Sequence, residues 1–188
     1  KKVVAKARWA AGKKQILLAC MPKSGSSFIS NKLSSPPGFL KVNYAHGYHR
    51  NEQEINEFLL LGKMIAHPNK SLVSQMHIRL SQPTYEILCR QRVQTVVLRR
   101  NLKDVLLSMS EYVFNPDHPE CSMAFIDRQV IEAVKSSGIS PLEFTTRMIG
   151  PWYINFHLTW QKMMHFFPAS LMPVCIQYDD FFSDPRKG

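Results

Sequence analysis

The sequence lacks acidic residues throughout its first 51 positions. Lys1, Lys2, Lys6, Arg8, Lys13, Lys14, Lys23, Lys32, Lys41 and Arg50 all fall in that stretch. From Glu52 onward the two signs balance, so the N-terminal part carries the whole formal net charge of +10. A segment of one sign disfavours a cationic partner and suits an anionic one, whether nucleotide, nucleic acid, acidic polymer or membrane surface. For Lys1–Lys14 a solvated basic tail is the favoured account. No apolar run approaches the roughly 18–20 residues of a membrane span; the longest, Ile16–Met21, is strand-sized. The N-terminus has no apolar core of the secretory kind. Cysteine is scarce and scattered (Cys20, Cys89, Cys121, Cys175), with no CxxC pair, which disfavours a zinc ribbon or a thioredoxin-type centre. Free thiols and a reducing, cytoplasmic compartment are therefore expected. His46 and His49 have no acidic or Cys ligand close in sequence, so they are not read as a metal pair.

What is present is globular in character. Apolar residues make up 45% and charged residues 20% of 188 positions, the balance of one ordinary folded domain rather than a disordered chain. Gln15–Cys20 is a continuous apolar run, as in a strand covered on both faces. The small-residue loop Met21–Ser27 follows, and a helix begins near Phe28. A loop is expected over 34–38. Glu52–Ile65 has helical spacing, with Ile55, Phe58, Leu59 and Gly62 on one face. Strands are expected over 72–76, 93–98 and 174–178. Helices are expected over 83–92, 101–112, 122–136 and 141–167, the last broken at Gly150-Pro151. Strands alternating with helices predict an α/β fold with a central parallel sheet flanked by helices. Ligands in such sheets bind beyond the carboxyl ends of the strands. Pro22–Ser27, His77, Arg99–Ser108 and Tyr178–Asp180 would all gather there.

Two of these segments suit anions. A strand, a tight Gly-containing loop and a helix aim backbone N–H groups and the positive helix end at one point. Lys23 adds a cation there, and Ser24, Ser26 and Ser27 add hydroxyls. The order differs from a Walker A loop, which needs GxxxxGK[ST]. An ordinary strand–helix turn has the same composition, so the loop alone does not decide. In Arg99–Ser108, Asn101 fits as an N-cap with Asp104 at N3. Arg100 can fork onto a phosphate, and Ser108 can donate to the same group. His77 is read either as structural or as a general base.

Together the segments resemble the sulfotransferases that use 3′-phosphoadenosine 5′-phosphosulfate (PAPS). PKSGSSF at 22–28 is similar to the family's PKSGTTW loop, and RNLKDVLLS at 100–108 to its RNPKDVxVS motif. His77 lies close to where the family keeps its catalytic histidine. PWYINFHLTW at 151–160 and YDDFFSDP at 178–185 are similar to later family segments. The likeness runs in the family's order over residues 15–185. It implies a P-loop-like three-layer fold and transfer of a sulfuryl group to an acceptor hydroxyl (alcohol or phenol, or an amine) on a small molecule or glycan. It implies no metal and 3′,5′-ADP as product. By resemblance, His77 is the base and Lys23 stabilises the leaving oxygen. Ser24, Gly25, Ser26 and Ser27 cradle the 5′-phosphate, and Phe28 stacks on adenine. Arg100 and Ser108 hold the 3′-phosphate, and Tyr178 lines the nucleotide pocket.

The sequence departs from the family at three points. Gln75 stands where the family often has Lys, and Leu102 where it has Pro. The RKGxxGDW-type stretch is missing, so the 188 residues are expected to be a single sulfotransferase domain without its last cofactor loop. Three rivals stay open: an inactive sulfotransferase-like domain binding nucleotide or acidic polymer, a P-loop kinase, and a nucleic-acid binder resting on charge alone.

Overall fold

The computed structural model describes residues 12–45, 54–115, 117 and 126–182, with side chains given up to Asp180. The readings made for residues 1–11, His46, His49, Cys121, residues 122–125 and residues 183–185 lie outside these. Five strands form one parallel sheet in the order β2-β3-β1-β4-β5. They are β1 (Gln15–Cys20), β2 (Phe39–Lys41), β3 (Ser71–Met76), β4 (Gln94–Arg99) and β5 (Val174–Gln177). The helices between them are α1 (Ser26–Ser34), α2 (Glu57–Ala66), α3 (Gln82–Arg90), α4 (Leu102–Phe114), α5 (Arg128–Ser137), α6 (Pro141–Met148), α7 (Gly150–Met163) and α8 (Tyr178–Phe182). The predicted α/β fold with a central parallel sheet is therefore the observed one.

The central strands β1 and β3 are covered on both faces, as their apolar runs require. On one face Leu17, Ala19, Met21, Met76 and Val97 join the core built by Tyr153, Phe156 and Trp160 of α7. On the other, Leu18, Cys20 and Leu98 meet Ile29 of α1. This alternation along β1 and β4 follows from the two-residue period of a strand. Local signals set the helix starts. Asn101 Oδ1 accepts from the Lys103 amide, Ser81 caps α3 and Ser140 caps α6. Gly138, in the left-handed region, ends α5.

One strand was not expected, and one expectation needs correction. Residues 39–41 form a strand, too short to show a pattern, which docks on β3 from Phe39–Ser71 to Lys41–Val73. Helix α2 begins at Glu57, capped by Asn56 Oδ1 on the Leu59 amide, so Ile55 is buried ahead of it. Its core face is Leu60, Leu61 and Met64, and Phe58 is 73% exposed. In Phe58-Leu59-Leu60-Leu61 the apolar run is continuous. Hydrophobic spacing alone therefore cannot fix the phase of the helix.

Candidate functional site

Strand order puts the topological switch point between β1 and β4. The chain leaves β1 toward β2 and leaves β4 toward β5, so the two loops diverge. At this point Met21–Gly25 turns sharply. Lys23 and Gly25 are both left-handed, with φ of 61° and 75°. For lysine this conformation costs of order 1–3 kcal/mol and persists only where surrounding contacts enforce it. Four hydrogen bonds do so here. The Ser24 amide and hydroxyl both donate to the Met21 carbonyl. The Tyr153 hydroxyl donates to the Pro22 carbonyl at 3.2 Å. Arg100 Nη1 donates to the Lys23 carbonyl at 2.7 Å. Three successive carbonyls are thus drawn back into the protein. The amides of Gly25, Ser26 and Ser27 meet no acceptor among the described residues, the condition of an anion-binding helix start.

Arg100 is the hinge of the site. It follows β4 directly, and its guanidinium lies over the Tyr178 ring, 4.4 Å from the centroid. Its Nε is inaccessible and has no hydrogen-bond partner among the described residues. The Lys23 ammonium lies over the Tyr112 ring at 4.1 Å. Lys23, Arg100 and Tyr178, read separately from the sequence, are thus joined by direct contacts. Ser24 and Ser26 are buried and Ser27 is exposed. Phe28 is 42% exposed, with the Lys32 ammonium 5.5 Å from its ring centroid. Ser108 is half-buried on α4, with no hydrogen bond tying it to Arg100 among the described residues.

His77 stands one residue past β3, opposite Cys20. Its Nδ1 lies 3.1 Å from the Cys20 carbonyl and 3.4 Å from the Cys20 sulfur. A carbonyl can only accept, so Nδ1 carries the proton, and Nε2 is the basic nitrogen of the neutral ring. Two residues earlier on the same face, Gln75 Nε2 donates to Ser26 Oγ at 2.7 Å. Burial pushes the Tyr153 phenol well above its usual range, partly opposed by the nearby Arg100 charge. Burial, then the Arg99 charge, lowers His157 below the usual histidine value.

Sequence reasoning missed the roles of Cys20, Tyr112 and Tyr153. Tyr112 could have been found, since it follows Ser108 by four residues and so shares its helix face. Cys20 and Tyr153 act through pairings 57 and 131 residues apart, which no local pattern carries.

No family model matches the chain, and no curated protein matches its sequence. Among solved structures it is similar to mouse sulfotransferase SULT7A1 complexed with PAP, with a TM-score of 0.52 and 16% sequence identity. That likeness covers 93% of this chain and 55% of the other, so the chain spans little more than half its neighbour's length. At this identity the shared feature is the fold: this chain has a sulfotransferase-like α/β architecture.

Proposed function

We propose that the chain is the sulfuryl-transferring part of a PAPS-dependent sulfotransferase. One observation carries the reading. The loop whose amides lack acceptors is bonded to the Arg100 guanidinium, at the switch point beyond which such sheets bind ligands. That arrangement offers two cationic, donor-rich positions to a ligand with two anionic ends. PAPS would supply the sulfuryl group and leave as 3′,5′-ADP. The Gly25, Ser26 and Ser27 amides hold the 5′ end, and Ser24 keeps their turn closed. Arg100 and Ser108 hold the 3′-phosphate. Tyr178 lies along the nucleotide, and Phe28 offers a ring face for adenine. Lys23 stabilises negative charge on the leaving oxygen. His77 Nε2 takes the proton of the acceptor hydroxyl, because Nδ1 is committed to Cys20. These residues position and neutralise; none need form a covalent bond.

The test is calorimetric binding of 3′,5′-ADP, followed by transfer of labelled sulfate from PAPS to phenol, alcohol, amine and glycan panels. Binding with transfer supports the reading, and failure to bind rejects it. One observation favours a second reading, a nucleotide-binding domain without activity. Gln75 brings an uncharged amide to the loop where the resemblance has Lys. Tight 3′,5′-ADP binding with no transfer to any panel would select it.

A further inference from the structure

On β3, Gln75 is 3% exposed, and its side chain reaches Ser26, the first residue of α1 and itself 5% exposed. We propose that Gln75 is a positioning residue that forces the Ser26 hydroxyl to act as a donor toward an oxyanion at the start of α1. The inference follows from counting protons. A serine hydroxyl has one proton and two acceptor sites, and a glutamine amide nitrogen only donates. Gln75 Nε2 therefore occupies an acceptor site of Ser26 Oγ at 2.7 Å. The hydroxyl proton must point elsewhere, and no described residue accepts it. The Ser26 amide also lacks an acceptor among the described residues, as do its neighbours Gly25 and Ser27. A buried donor left without a partner is costly. The Ser26 hydroxyl is such a donor, and with the three neighbouring amides it marks the place of an ionised group with several lone pairs. A neutral amide sets this polarity without adding charge, which a carboxylate at the same place would reverse.

The inference rests on the reading that this loop takes the 5′ end of the nucleotide, and the two can be separated. Wild type, Gln75→Leu, Gln75→Glu, Ser26→Ala and the Gln75→Leu/Ser26→Ala pair are titrated with 3′,5′-ADP, adenosine 3′-phosphate and inorganic phosphate. Melting curves check that each variant is folded. Gln75→Leu is expected to weaken 3′,5′-ADP about tenfold, the scale of one hydrogen bond. Ser26→Ala should match it, and the pair should lose little more, because both remove the same interaction. Gln75→Glu should lose about a hundredfold, since a carboxylate captures the Ser26 proton and repels the anion. Adenosine 3′-phosphate, with no 5′-phosphate, should bind all variants equally. Wild-type affinity in Gln75→Glu would overturn the proposal, as would equal losses for both nucleotides. Nucleotide binding indifferent to Gln75 would overturn the positioning role and leave the nucleotide reading intact. Phosphate binding that depends on Gln75, with neither nucleotide bound, would do the reverse.

Discussion

Arg100 does two jobs with one guanidinium. Its Nη1 clamps the Lys23 carbonyl and its face covers Tyr178, so its positive charge is held beside the loop. Arg100→Ala should therefore weaken 3′,5′-ADP by about 1.5–3 kcal/mol, the range for a hydrogen bond to a charged group. Arg100→Lys should recover only part, because a point charge neither forks nor stacks as a planar group does. Calorimetry reads both, and unchanged affinity in Arg100→Ala would remove it from the site. His77→Ala separates chemistry from binding. Transfer should fall by about 10²–10⁴, the contribution of a general base, while 3′,5′-ADP affinity stays as in wild type. Retained turnover would show that another group takes the proton. At this scale the sequence was informative about type and silent about partners. Lys23, Gly25 and Arg100 stand in short motifs whose chemistry is readable in place. That Arg100 reaches back 77 positions to a carbonyl, or that Cys20 fixes a histidine tautomer, depends on strand register.

At the scale of elements, α7 ties the site to the core. Tyr153 reaches the Pro22 carbonyl, the Trp160 indole donates to the Ile78 carbonyl at 3.0 Å, and Phe156 is fully buried between them. A helix was expected over 141–167, broken at Gly150-Pro151, but not that its inner face holds the loop's second carbonyl. The same helix carries two groups whose ionisation opposes folding. Buried Tyr153 holds its proton more tightly folded than unfolded, where its value is near 10.0. Above that pH the unfolded chain releases a proton the native state keeps, so stability falls as pH rises. His157 has the opposite sense. Its native value lies below the ordinary 6.5, so below that pH the unfolded chain takes up a proton first, and stability falls as pH drops. Urea midpoints across the pH range should decline at both ends. Tyr153→Phe should flatten the alkaline limb and cost about 1 kcal/mol at neutral pH through the lost hydrogen bond. His157→Gln should flatten the acid limb alone; an unchanged acid limb would assign it to other groups. Helix α2 shows where element-level reading stops. Its existence was legible, but its buried face was not, because four consecutive apolar residues allow more than one phase.

For the whole molecule, strand alternation and apolar runs were enough to predict a parallel sheet with helices on both faces. They could not supply the order of the strands, which depends on which crossovers pass over β1. That order makes β1, the first strand among the described residues, the central one, with β3 and β4 as its two neighbours. Pairing Gln15 with Leu72 and Ile16 with Gln94 closes long loops before any sheet exists. Refolding is therefore expected on the millisecond-to-second scale of topologies rich in distant contacts, not the microseconds of helical bundles. Stopped-flow fluorescence of the three tryptophans would check this. Synthesis on the ribosome stretches the same wait further. Seventy-nine residues separate the starts of β1 and β4, so at ordinary translation speeds the nascent β1 spends roughly 4–16 s without its full complement of neighbours. An uncharged hexapeptide of this kind invites association with other chains during that interval. Lys13 and Lys14 stand immediately before it, where like charges act as gatekeepers.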